Sequence, residues 1–334
     1  VTRLAVLTDD PTGPVVRHRV LAVLPCLREA GFDDVRIVPV EKGLRARRAA
    51  FREAGERRNV LLVRRLFTRF DFGALRAAAG RLAYDFDDAL CFRDPTRGRP
   101  ESHVRARRFA RTVKGADLVL AGNPYLGGLA REHGAVAPVV VAPTPVDTDR
   151  YAPGPETPRR GFRVGWIGSR STRPYLRLVA APLRELVRRR DDVVVAVMAD
   201  APPHELDGLP VEFTPWSEEA EVPFLRSLHA GLMPLTDDVW SRGKCGFKLL
   251  QYMACGVPAV ASPVGVNVAI AEGGATARLA ATDAEWVAAL EEFAADPDVA
   301  AALAARARAE AEAKWSSRAL GPRLASSLAA WAAA

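Results

Sequence analysis

The chain has 334 residues, more than one ordinary hydrophobic core holds, so two domains are expected. With 49% hydrophobic and 26% charged residues the composition is that of a globular protein, and no run of about 18 apolar residues is present to span a membrane. The net charge of +7 is uneven: residues 1–150 carry a surplus of nine positive charges, residues 151–334 a deficit of two. Such a basic first half suits an anionic partner, and a membrane face or a phosphorylated acceptor is expected there. No basic stripe interleaved with aromatic residues is visible, so nucleic acid is not expected. The opening VTRLAVLTDD does not read as a secretory signal, which points to the cytoplasm, with peripheral contact at the inner membrane face. Cys26, Cys91, Cys245 and Cys255 form no C-x-x-C pair, so neither a zinc site nor a disulfide framework is suggested.

Short β-branched runs alternate with helical patterns from the start. Strands are expected over Leu4–Thr8, Val35–Val40, Val60–Val63, Leu82–Phe86, Asp117–Ala121 and Val139–Ala142. Between them, helices are expected over Arg17–Ala30, Leu44–Glu56, Phe70–Ala79, Ser102–Lys114 and Pro124–His133. The stretch Pro143–Pro158 contains five prolines and reads as a linker. Alternation then resumes, with strands over Phe162–Ile167, Val193–Met198, Val211–Phe213, Gly231–Leu235 and Ala259–Ser262. The matching helices are Leu176–Arg190, Glu218–Leu228, Lys244–Cys255 and Val266–Glu272, and Asp283–Ala334 is almost wholly helical. The fold class is α/β: two tandem doubly wound parallel sheets facing a cleft, followed by a helical tail. The expected division is 1–150, 151–314 and a terminal helix over 315–334.

Polar chemistry concentrates in three stretches of the second half. Gly168 ends a strand and is followed by the donors Ser169, Ser171, Thr172 and Arg173. On a helix over Lys244–Cys255, Lys244, Lys248 and Gln251 fall within about 60° of one another. Two of the chain's five lysines stand there, beside Gly243 and Gly246. A helix start with glycines and ammonium groups suits a phosphate, because free N–H groups, the helix dipole and fixed charge point together. The third stretch is the small-residue turn Ser262–Asn267. Neither G-x-G-x-x-G nor G-x-x-x-x-G-K-[ST] occurs, so the pattern argues for a diphosphate without dinucleotide specificity. In the first half, Asp85, Asp87 and Asp88 close a strand. They either handle a polar group or a proton, or pair with the abundant arginines.

The order of these pieces resembles glycosyltransferase family 4 of the GT-B fold. The similarity rests on Gly13 and Pro14 with Arg17 and Arg19, on Ala121–Tyr125, Val141–Asp147, Gly168–Ser169 and Pro234–Leu235, and above all on Tyr252–Pro258. It covers nearly the whole chain. The resemblance implies two Rossmann-like domains and a retaining transfer of sugar, of the hexosyltransferase class, from a nucleotide diphosphate donor, UDP or GDP, with neither metal nor cofactor. It implies a donor held by Lys248, Arg173, Gly168, Ser169, Thr172, Lys244, Gly246 and Phe247. The loop Gly265, Val266 and Asn267 would cap the phosphates, and Trp216 would lie near the base. The acceptor, a glycan, a lipid or a small molecule, would meet Gly13, Arg17, Arg19 and Asp85, with Asp87 and Asp88 as catalytic candidates. The family's paired glutamates map onto Gly243 and Gln251, both departures; Gln251 could still meet the ribose, and Asp237 or Asp238 could substitute for the first. The terminal helix would cross back to the first domain. Alternatives are a nucleotide-sugar epimerase or hydrolase of the same shape, or a degenerate, non-catalytic binding protein.

Overall fold

A computed structural model describes residues 2–94, 98–154 and 161–334. Two compact units emerge. The first comprises Val1–Pro145, Arg242–Cys245 and Ser317–Ala334; the second comprises Val146–Ser241 and Gly246–Ser316. Pro155 and Pro158 of the expected linker lie outside the described residues. The part of that stretch that is described does not run free: Val146 bridges to Ser316 and Tyr151 is fully buried in the second unit.

In the first unit the chain runs β1 (Thr2–Thr8), α1 (Pro14–Arg19), α2 (Leu24–Glu29), β2 (Phe32–Pro39), α3 (Leu44–Gly55), β3 (Asn59–Val63), α4 (Arg69–Ala78), β4 (Arg81–Phe86), α5 (His103–Gly115), β5 (Leu118–Ala121), α6 (Pro124–Glu132) and β6 (Val139–Val141). All six strands are parallel, in the order β2-β1-β3-β4-β5-β6. Strands such as Val60–Val63 are apolar and buried along their length, as a sheet covered on both faces requires. The helix expected over Arg17–Ala30 is broken instead: Val20 leaves helical geometry (φ −121°) and a short 3₁₀ turn over Leu21–Val23 intervenes. Pro25 supplies the reason. It lacks an N–H and its ring would strike the carbonyl one turn back, so it is tolerated only in the first turn of a new helix.

The second unit continues with β7 (Phe162–Ile167), α7 (Arg177–Arg189), β8 (Val193–Ala199), β9 (Val211–Pro215), α8 (Glu218–Arg226), β10 (Ala230–Met233), α9 (Phe247–Ala254), β11 (Ala259–Ala261), α10 (Val266–Ile270), β12 (Arg278–Leu279), α11 (Asp283–Ala295) and α12 (Pro297–Glu310). Its six strands are again parallel, in the order β12-β11-β10-β7-β8-β9. β12, two residues long, is too short to leave a sequence pattern. The last helix, α13 (Ser317–Ala333), belongs to the first unit, where it packs on α2 and the adjacent 3₁₀ turn. Among the described residues no helix is long and apolar enough to cross a membrane. All four cysteines are free thiols.

Tyr252 fastens α9 onto the second sheet. Its hydroxyl donates to the carbonyl of Leu232 (3.2 Å) and accepts from the amide of Ile167 (3.3 Å), so one buried group ties two neighbouring strands. The ring lies flat over Gly231, where a Cβ would approach it to 2.5 Å. Glycine is therefore required by close approach. Gly231→Ala is expected to lower stability by about 1–3 kcal/mol, as overpacked cores do; a urea midpoint equal to that of the wild type would show that the ring can yield.

Candidate functional site

In an open parallel sheet the loops at the carboxyl ends of the strands are where polar side chains can converge. β7, β10 and β11 are neighbours, so the loops that follow them leave from one edge. The first, after Ile167, turns at Gly168, where a Cβ would meet the Trp166 ring at 2.3 Å and the Thr172 hydroxyl at 2.8 Å. Thr172 closes this loop: its Oγ1 accepts from the Ser169 amide (3.2 Å) and donates to the Ser169 carbonyl (3.2 Å). Ser169 and Ser171 share a hydroxyl contact of 3.1 Å.

α9 begins at Phe247, three residues later than the pattern suggests. Gly246 stands before it in the left-handed region (φ 67°), with no side chain capping the first turn. A helix start of this kind, with its dipole pointing outward, is suited to an anion. Lys248, in that first turn, holds its ammonium 5.5 Å above the centre of the Trp166 ring. A Cβ on Gly246 would meet Ile270 at 2.4 Å, Val266 at 3.3 Å and Asn267 at 3.5 Å, so the starts of α9 and α10 abut. Gly265 precedes α10 with a positive φ of 56°, and the Asn267 amide group donates to the Ser262 carbonyl (3.1 Å). Gly168 and Lys248 therefore meet on Trp166, while Gly246, two residues before Lys248, seats against Val266 and Asn267.

Other candidates sit elsewhere. Lys244 is not on α9, and the common face drawn for Lys244, Lys248 and Gln251 does not exist, because the left-handed Gly246 breaks the helix before it. Lys244 belongs to the segment Arg242–Cys245 of the first unit, where its ammonium meets Asp88 at 2.8 Å. Arg173 pairs with Glu205 (3.0 Å) and donates to the carbonyl of Pro202 (3.2 Å). Gln251 is buried and donates to Glu221 (3.0 Å). Glu221, itself buried, also accepts from the Tyr151 hydroxyl (2.8 Å). Trp216 follows the edge strand β9, two strands away from β7, and is 40% exposed.

The first unit holds a dense ionic network at the ends of β3 and β4. Arg19, fully enclosed, grips Asp85 with two bonds of 2.7 and 2.5 Å and donates to the Thr144 hydroxyl (2.9 Å). Burial works against the Arg19 charge, yet Asp85 outweighs it and holds the guanidinium above its usual range. Arg64 takes a left-handed backbone (φ 59°) at the end of β3 and reaches both Asp87 (3.2 Å) and Asp88. A non-glycine residue in that region is uncommon and is held there by its surroundings. Asp87 is pushed above the ordinary carboxylate range, first by burial and partly relieved by Arg64, with Asp88 adding repulsion.

The segment Arg242–Cys245 docks on this network. The Asn123 side chain donates to the Lys244 carbonyl (3.0 Å), and the Cys245 thiol reaches the Asp87 carbonyl (3.4 Å). Burial beside Asp87 pushes that thiol up to about 12. Gly243 packs so closely that a Cβ would meet the Ala89 amide nitrogen at 2.9 Å. That fit gives a steric reason for glycine where the resembled family has its first glutamate. Gly13 is likewise pressed on the Asp10 carboxylate (2.1 Å to a Cβ), and Arg17 lies against His18 (3.3 Å). Thus the three carboxylates meet arginines first. Arg64, Trp166, Glu221 and Tyr151 were not singled out from the sequence as site residues, because their contacts join segments far apart in the chain.

Residues 161–296 match the family model for Glycosyl transferases group 1. The fold is shared with HepE from Anabaena in complex with UDP and glucose, at 16% identity and a TM-score of 0.77, covering 99% of this chain and 100% of that one. Sucrose-phosphate synthase from Thermosynechococcus elongatus is similar at 14% identity and a TM-score of 0.75, covering 97% of each chain. A glycosyltransferase from Rickettsia africae aligns at 12% identity with a TM-score of 0.72, covering 98% of each chain. No curated protein matches.

Two outcomes follow from the network. Asp85→Asn leaves Arg19 buried against a neutral group and is expected to cost roughly 3–5 kcal/mol, read from urea midpoints; an unchanged midpoint would place Asp85 outside the fold's support. For Asp87 the folded state holds the proton more tightly than the unfolded chain. Stability is therefore expected to fall as pH rises from the ordinary aspartate value through the elevated one. The difference between wild type and Asp87→Asn, followed across acidic pH, isolates that fall.

Proposed function

We propose that this chain, whose residues 161–296 match the group 1 glycosyltransferase model and whose fold is GT-B, is a glycosyltransferase that transfers a hexose with retention from a UDP- or GDP-sugar. The observation that carries this reading is Lys248: an ammonium in the uncapped first turn of α9, over Trp166, at the edge where three strand-end loops meet. Structural neighbours captured with UDP, such as HepE, support a nucleotide diphosphate donor. Breaking the sugar–phosphate bond builds negative charge on the departing diphosphate. Lys248, at the start of α9, is the group of this chain suited to meet that charge, since it is already oriented before the charge develops. Gly168, Ser169 and Thr172 would admit the phosphates closely, and Val266 and Asn267 would cover them. In this reading the reaction needs neither metal nor cofactor.

The first unit holds the acceptor in this proposal, whether glycan, lipid-linked sugar or small molecule. Asp87 is the carboxyl of that unit suited to exchange a proton with an acceptor hydroxyl, because burial raises its pKa whereas Asp88 is gripped by Arg64 and Lys244. Arg173, being tied to Glu205, would act on the loop rather than on the diphosphate. The reading places the enzyme in the cytoplasm, with its basic first unit in peripheral contact with an anionic membrane face.

Lys248→Ala is expected to lower turnover by about 10²–10³ with an unchanged melting temperature. Labelled UDP- and GDP-sugars supplied with and without a panel of acceptors provide the assay. Normal turnover in the variant would remove Lys248 from the mechanism, and donor conversion without any acceptor would make the chain an epimerase or hydrolase.

A further inference from the structure

Many arginines of this chain meet a carboxylate. Arg36 pairs with Glu53, Arg57 with Asp34, Arg76 with Asp117 and Arg189 with both Glu185 and Glu291. One surface of the first unit instead sets arginines beside strongly exposed apolar side chains. α3 and α4 pack side by side, and Arg48 of α3 donates to the carbonyl of Phe70 in the first turn of α4 (3.4 Å). Their first turns are therefore neighbours. Phe70 is 78% exposed there, the most exposed aromatic of the described residues, and Leu44 at the start of α3 is 59% exposed. Leu44 and Arg48 stand four residues apart, on one face of the helix.

Arg45, Arg48 and Arg69 surround these two apolar side chains without a carboxylate partner among the described residues. Arg47, on the same helix, is taken up by Asp71 in the first turn of α4 (3.4 Å). Glu41 and Lys42, just before the helix, cancel one another. The patch thus combines two protruding apolar side chains with three guanidinium groups that meet no carboxylate among the described residues. A lone exposed leucine or phenylalanine is ordinary. Two of them on adjacent helix starts, ringed by fixed positive charge, match an interface that is anionic at its surface and apolar just beneath.

We propose that the α3–α4 surface is where this enzyme docks on an anionic lipid bilayer, with Phe70 and Leu44 entering the headgroup layer and Arg45, Arg48 and Arg69 meeting lipid phosphates. This rests on the reading that the first unit contacts a membrane and names the residues that make the contact. The choice of a lipid surface over nucleic acid follows from the two apolar side chains, which phosphodiester backbones do not reward.

Vesicle flotation with the full chain tests it. Vesicles of phosphatidylcholine alone are compared with vesicles that also contain phosphatidylglycerol. The wild type is expected to float with the anionic vesicles, to remain behind with the neutral ones, and to be released by salt. Each guanidinium removed is expected to weaken partition roughly fivefold, so Arg45→Glu with Arg69→Glu should abolish flotation, as should Leu44→Ser with Phe70→Ser. All four side chains are exposed, and melting temperatures check that both double variants remain folded. Arg107→Glu, on the exposed face of α5, is the control and is expected to bind like the wild type. Should both double variants float undiminished, or Arg107→Glu lose as much as they do, the contact lies elsewhere while membrane binding stands. If the wild type ignores anionic vesicles, or holds duplex DNA more tightly than it holds them, the membrane reading fails with the docking surface.

Discussion

Parallel strands covered on both faces have no solvated flank, and this constraint shapes each unit. Apolar side chains fill both sides of β3 and β8, so polar groups can gather only where strands end. In the second unit the ends of β7, β10 and β11 are adjacent, and the Gly168 turn, the start of α9 and the start of α10 come together there. Glycine is what lets them approach: Gly168 against Trp166, Gly246 against Ile270, Gly231 against Tyr252. The same close packing holds Lys248 over the Trp166 ring. An ammonium that is already oriented needs little reorganisation when charge develops in front of it.

The first unit solves a different problem at its strand ends. It brings five charged side chains, Arg19, Arg64, Asp85, Asp87 and Asp88, into a region largely closed to water, and Lys244 joins them. Such charges are tolerated only when each meets its opposite with good geometry. The two-pronged contact of Arg19 with Asp85 meets that condition. Arg64 meets it by adopting a left-handed backbone, so that one guanidinium serves two carboxylates. Asp87 is buried beside Asp88 with Arg64 as partial relief, which is why its pKa is raised and why it is suited to exchange a proton.

The segment Arg242–Cys245 shows how local pattern and tertiary demand compete. Its residues have the spacing of a helix start, yet they are drawn out of α9 by Asp88, Asn123 and the close seat at Gly122 and Ala89. Gly243 is then a steric necessity and not merely a lost side chain. Gln251 tells a related story, for its amide is engaged by Glu221, a carboxylate on a different helix.

Alternation of β-branched runs with helical periods was enough to determine two parallel α/β units, because that pattern reflects which faces are buried and needs no long-range contact. The Gly168 turn, the Lys248 helix and the Gly265 turn were legible for the same reason: each is a local device at a strand end. Only the tertiary structure decided the late start of α9. It also decided which charges face one another. Lys244 and Asp88 are separated by 156 residues, and Arg19 and Asp85 by 66. Pairings at such separations are set by how strands are ordered in the sheet and by the cost of burying a lone charge, neither of which is written in any short window of sequence.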